Sequence, residues 1–133
     1  KSHQIAIINL LAPDPRWFDP NVNEKVVNGS SVINNKGDII TPVKIIVDGP
    51  ASNPIEIENQ TTGDKITVNT NLSSGSRLII NSKFGAKEVS VNGNNYFYTI
   101  SADSNFPFLA PGDNKIITST EMELKFYDRF LGV

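Results

Sequence analysis

An all-β fold, specifically a two-sheet antiparallel β-sandwich, is predicted for this 133-residue chain by three observations. Short segments alternate apolar and polar residues with period two, so each can bury one face and wet the other. Gly, Asn or Pro closes nearly every one of them, and such segments spaced by turns build sandwiches or barrels. No apolar stripe of helical period persists for three turns.

Taken in order, "QIAIINLL" over residues 4–11 reads as a strand. Pro13, Pro15 and Pro20 follow closely, and proline lacks an amide donor and holds its predecessor extended. Residues 12–24 therefore read as irregular chain, a linker or domain junction. Residues 1–24 form the N-terminal strand and Pro-rich linker, and residues 25–133 the sandwich. Trp17 and Phe18 lie inside the linker, where large aromatics need something to pack against, such as an adjoining domain. Turn signals at Asn28-Gly29 and Lys36-Gly37-Asp38 precede "PVKIIVDG", whose Val43, Ile45 and Val47 share a face. "PIEIEN" puts Ile55 and Ile57 opposite Glu56 and Glu58. Ile66 and Val68, Leu78 and Ile80, and Val89 and Val91 repeat the pattern. Asn92-Gly93 suits a tight hairpin of positive φ joining Val89–Val91 to Tyr96–Thr99. Pro111-Gly112 turns the chain into a strand at Ile116 and Ile117. "EMELKFYD" closes the series, with Met122, Leu124 and Phe126 on the inner face. About eight or nine strands follow Val26 by this reading.

Composition narrows the function. A net charge of -2 with scattered cations offers no electrostatic footprint for nucleic acid. The absence of cysteine removes disulfides and thiolate metal sites. No apolar run approaches the roughly 18 residues needed to cross a bilayer, and no signal-peptide cleavage pattern stands near the start. Lys1 in place of Met suggests an excised fragment or a processed chain.

No catalytic constellation emerges. Glu56 and Glu58 could suit a glycosidase pair, whose carboxylates lie about 5 Å apart or wider. Two apart on a strand, however, they are the wet face of an amphipathic ladder, and Glu121 with Glu123 reads the same way. His3 is the only histidine and stands near a terminus without partners for a general base or zinc. No serine sits in a nucleophile elbow. Asp38, Asp48, Asp64, Asp103 and Asp113 fall in expected loops without EF-hand spacing and serve as turn caps. Catalytic residues, cofactors and metal ligands are all read as none. Asn28, Asn59 and Asn71 each head a formal glycosylation sequon, which matters only in a eukaryotic secretory protein. Tyr96 and Tyr98, expected to share a strand face with Phe97 opposite, are the candidates for glycan contact. Their alternative role is core or cross-strand packing.

Four stretches occur here in order: "LLAPDPRWFDP", "INNKGDIITPVKIIVDGPASNPIEIENQTTGDKITV", "NFPFLAPGDNKI" and "KFYDRFLGV". Together they resemble the C-terminal domain of the distal tail protein of long-tailed phages, the siphovirus-type tail component family. The most specific pieces are Ala12–Pro15, Asn53-Pro54 with Thr61-Thr62-Gly63, Phe108 through Asn114, and Tyr127 through Phe130. The resemblance implies a galectin-like, jelly-roll sandwich that projects from a hexameric ring at the tail tip. The ring is formed by an N-terminal domain preceding Lys1 and joins the tail tube to the adhesion apparatus. It further implies a non-enzymatic virion protein made in bacterial cytoplasm, with other tail proteins as partners. By family habit the host is Gram-positive. A homohexamer is implied for the full protein and a monomer for this fragment, with no nucleic acid and no membrane insertion. The large loop insertions that carry docking arms or carbohydrate modules in longer members have no counterpart here. Galectin-like shape alone does not carry sugar binding, because the required cluster includes His and Trp, which the expected sandwich strands lack. The alternative is a module recognising host cell-surface glycan.

Overall fold

The structure, a computed structural model, describes residues 16–18 and 22–131. The strand expected at residues 4–11, His3 and the prolines at 13, 15 and 20 lie outside the described residues. In chain order the strands are β1 (Arg16–Phe18), β2 (Asn23–Val27), β3 (Ser30–Asn35), β4 (Thr41–Pro42), β5 (Lys44–Asp48), β6 (Ile55–Asn59) and β7 (Asp64–Val68). Then come β8 (Arg77–Asn81), β9 (Glu88–Val91), β10 (Asn94–Asn95), β11 (Phe108–Leu109), β12 (Gly112–Thr118), β13 (Met122–Phe126) and β14 (Arg129–Leu131). One sheet has the order β10-β9-β8-β5-β13-β2 and the other β3-β12-β6-β7. Two short pairs, β1 with β14 and β4 with β11, complete the ladders, and every pairing is antiparallel. The fold is an all-β sandwich of two open sheets.

The alternation does what period two demands. Ile55 and Ile57 on β6, Ile66 and Val68 on β7, Leu78 and Ile80 on β8, and Leu124 and Phe126 on β13 are all buried. They join Val43, Ile45, Val47, Val89 and Val91 in one core cluster between the sheets. Burying each such side chain contributes about 1.5–3 kcal/mol, so this interleaved layer dominates the stability. β5 departs from strict alternation: Ile46, on the outer face, is also buried. Its neighbours in register are Glu123 on one side and Ile79 on the other, which cover it from both flanks.

Three features differ from the sequence reading. Residues 16–18, expected to be irregular, pair with residues 129–131 as β1 and β14, and β2 already begins at Asn23. Proline restricts only its own position and its predecessor, which leaves Arg16–Phe18 free to enter a ladder. The hairpin after β9 is closed by Asn92 at φ 51 and Gly93 at φ 83, the expected left-handed pair. Its return strand, however, is only Asn94–Asn95, and Phe97–Thr99 form a 3-10 turn. Asn95 Oδ1 accepts from the Phe97 N–H at 2.9 Å and Tyr96 O accepts from the Thr99 N–H at 2.9 Å, so local bonds outcompete the ladder.

The "FLAPGDN" segment owes its shape to buried asparagines. Asn114 Nδ2 donates to the carbonyls of Ala110 (2.8 Å) and Gly112 (3.0 Å), while its Oδ1 accepts from the Ala110 N–H (2.9 Å). Asn59 Nδ2 donates to Phe108 O (2.7 Å) and to Asn114 Oδ1 (3.1 Å). Asn35 Nδ2 reaches Leu109 O at 3.2 Å. All three side chains are buried, and buried amides persist only where their bonds are satisfied. A sequon headed by a fully buried Asn59 offers no acceptor in the folded protein.

Candidate functional site

A groove of about 630 Å³ with an apolar floor lies at one end of the six-stranded sheet. Strand register builds one wall. Glu24, Lys125, Lys44 and Asn81 stand side by side across β2, β13, β5 and β8, on the outer face. Lys125 Nζ lies 3.3 Å from Glu24 Oε2, whereas Lys44 has no carboxylate within ion-pair distance among the described residues. The floor is Val43 and Phe126, both buried core residues. The rim is unusually apolar for a surface: Val22, Phe84 and Tyr127 are each 41% exposed.

Phe84 is held by stacking. Its ring lies on Phe108 with centroids 5.2 Å apart and planes at 14°. The Arg129 guanidinium sits 5.0 Å from the Phe84 centroid, and Lys87 Nζ sits 5.6 Å from that of Phe108. Both distances suit cation–π attraction. Thr41 Oγ1 donates to Tyr127 O at 2.8 Å, which ties β4 to the segment after β13. Lys83 completes the lining, so four cations (Lys44, Lys83, Lys125, Arg129) face one carboxylate, Glu24.

The opposite end of the same outer face has the reverse sign. A recess of about 450 Å³ is lined by Val26, Ile46, Pro50 and the carboxylates Asp48, Glu121 and Glu123. Arg77 Nε donates to Asp48 at 2.8 Å, and this bond, with the charges of Asp48 and Glu123, raises the Arg77 pKa above its ordinary value. Because β5 runs from Lys44 to Asp48 and β13 from Glu123 to Lys125, the face carries an electrical polarity along its strands.

The residues singled out from sequence disperse. Glu56 pairs with Lys65 at 3.6 Å on the other sheet, diagonally across β6 and β7, since Lys65 stands opposite Glu58 and Glu56 opposite Thr67. Asp64 accepts from Thr62 Oγ1 at 2.8 Å and Asp113 from Asn34 Nδ2 at 2.9 Å. Asp103 accepts from the Ser101 hydroxyl, and that bond holds its carboxyl below the usual range. Asp48, Asp64 and Asp113 stand in strands rather than loops. No three of His, Cys, Asp or Glu come together as a metal site among the described residues. Tyr96 and Tyr98 do lie together, with centroids 5.6 Å apart, but on the 3-10 turn and its approach instead of a strand face. Tyr98 is 77% exposed, Tyr96 packs against the core, and neither lines the groove or the recess. Trp17 and Phe18 belong to β1; their side chains lie outside the described residues. The groove itself went unread in the sequence. Its residues come from four separated segments, and the one local hint was the aromatic Phe84 beside Lys83.

The molecule is thus an antiparallel sandwich whose six-stranded sheet carries a charged, apolar-floored groove. The family model of the siphovirus-type tail component, C-terminal domain, matches residues 36–130. The chain belongs to that family and is a component of a phage tail. Among solved structures it is similar to SPP1 Dit (gp 19.1), with a TM-score of 0.76 and 16% sequence identity over 90% of this chain. That protein is described as a paradigm of the hub adsorption apparatus in phages that infect Gram-positive bacteria. At this identity the likeness concerns the fold, and the chain spans 50% of the length of the matched protein. No curated protein matches the sequence.

Proposed function

We propose that this chain is the outward sandwich of a distal tail, or hub, protein, a non-enzymatic scaffold that seats a neighbouring tail protein in the cation-lined groove. Membership of the tail-component family is the observation that carries the reading. The groove supplies its physical form. Four cations against one carboxylate, in a chain whose net charge is -2, favour an acidic segment. The apolar floor and rim favour a peptide that interleaves acidic and apolar side chains over a purely hydrophilic polyanion. A preceding half of the polypeptide forms the hexameric ring, with Trp17 and Phe18 near the junction. This chain alone is then a monomer. Synthesis takes place in the bacterial cytoplasm, and the partners are tail-tube and tail-tip proteins.

The test reverses charge at Lys44 and Lys83 together, by glutamate substitution, in the full-length protein of a phage that encodes it. Tails should lose their tip apparatus and infectivity should fall, while the purified variant melts as the parent does. Lys115→Glu, on the other sheet, is the control and should assemble normally. Normal tails from the double variant would refute the groove as the seat. A stable hexamer of this chain in light scattering would move ring formation onto the sandwich. Glycan contact at Tyr96 and Tyr98 is the second reading, favoured only by the exposure of Tyr98. It requires saturable binding on a glycan array that Tyr98→Ala abolishes.

A further inference from the structure

Three Asx–Gly steps occur in the chain: Asn28-Gly29, Asp48-Gly49 and Asn92-Gly93. At an Asn–Gly step the glycine nitrogen can attack the side-chain carbonyl carbon, because no Cβ obstructs its approach. The new bond joins Gly N to Asn Cγ, and the Cγ–Nδ2 bond breaks. Nδ2 leaves as ammonia, taking the proton lost by the glycine nitrogen. Water then opens the five-membered imide at either carbonyl, leaving aspartate or its isomer linked through the β-carbon. Asp–Gly reaches the same imide by losing water instead of ammonia.

The fold treats the three steps differently. The Gly49 N–H donates to Ser76 O at 2.8 Å, and the Asp48 carboxylate is held by Arg77. Asn92 is locked through its own side chain: Oδ1 accepts from the Arg77 N–H at 2.9 Å and Nδ2 donates to Ser76 Oγ at 3.4 Å. Its backbone N–H donates to Arg77 O at 3.0 Å, which fixes the turn as well. Asn28 has none of this. Its side chain is exposed and makes no hydrogen bond with the described residues, and the Gly29 N–H has no acceptor there. Nothing stands within 4 Å of where a Cβ on Gly29 or on Gly93 would lie, so the two Asn–Gly steps differ in their hydrogen bonds and not in space.

We propose that Asn28 is this protein's site of spontaneous deamidation, and that the fold protects Asn92 and Asp48 from the same chemistry. The change puts a new negative charge on the turn between β2 and β3, which are edge strands of the two sheets. The isomer also lengthens the backbone by one atom beside the bond from the Thr118 N–H to Gly29 O, now 2.9 Å. Aged protein would therefore carry its damage at one defined corner of the sandwich.

The experiment incubates the folded chain at mildly alkaline pH and maps its peptides by mass spectrometry over time, with isoaspartate detected by enzymatic methyl transfer. A gain of about one mass unit should accumulate in the peptide holding Asn28. The peptide holding Asn92 should change about tenfold more slowly or less, since its turn must open first. In concentrated urea the two Asn–Gly steps should react at similar rates. Equal rates in the folded protein would overturn the proposal. So would a difference that survives in urea, because neighbouring sequence rather than the fold would then set it.

Discussion

Replacing Asn114 with alanine should destabilise the sandwich by about 2–4 kcal/mol. The side chain is fully buried and makes four bonds of 3.1 Å or less: two to carbonyls, one from the Ala110 N–H and one from Asn59 Nδ2. Each intramolecular bond contributes a net of about 1 kcal/mol, and a buried group left without a partner costs about 1–3 kcal/mol. Water offsets part of the loss, because Ala110 is half-buried and Gly112 exposed, and Asn59 Nδ2 keeps its bond to Phe108. Those compensations bring the sum of four down to the stated range. Denaturant unfolding followed by circular dichroism reads the change as a shift in midpoint at constant slope. Asp113→Ala is the neighbouring control, since it removes one exposed bond and should cost no more than about 0.5 kcal/mol. A loss below about 1 kcal/mol at Asn114, or equal losses at both positions, would refute the argument that buried asparagines hold the 108–112 segment.

Two further substitutions probe the packing. Ile57→Ala, at a side chain of 0% exposure between the sheets, should cost about 2–5 kcal/mol by the same unfolding measurement; a cost under half a unit would put the strand in the wrong phase. Gly37→Ala should lower the melting temperature by several degrees, because a Cβ there would lie 2.2 Å from the Arg129 carbonyl oxygen. An unchanged melting temperature would mean that β14 yields without cost.

Much of this architecture is legible before any coordinates, and the reason is local. Ile57, Ile66 and Leu124 announce their faces by alternating with polar neighbours, a signal contained within five residues. The turn at Asn92-Gly93 is legible for the same reason, since its positive φ values need those residue types. What escapes is set by partners far along the chain. Nothing near Asn59 or Asn114 in sequence announces that they are among the most buried polar groups: Asn59 is fixed by the Phe108 carbonyl 49 residues on, and Asn114 by the Asn59 side chain 55 residues back. Ile46 breaks the alternation only because Glu123 and Ile79 arrive on both sides. Tyr96 and Tyr98 look like strand neighbours until Asn95 captures the next amide and winds the chain. The groove is the extreme case, assembled from ends of strands that share nothing in sequence.

The place of β13 has a consequence for how the chain comes together. It lies between β5 and β2, with Asn23 opposite Phe126 and Lys44 opposite Lys125. A ribosome delivers β2 and β5 first, but the strand that unites them emerges only after the intervening strands of this domain have been made. Until then both present open edges that invite pairing with other nascent chains. The closing step must also bring together residues about a hundred positions apart, the kind of contact that makes folding slow. Maturation of this domain is thus a late, all-at-once event governed by its last long strand, and truncations that remove β13 should yield aggregates instead of a shortened sandwich.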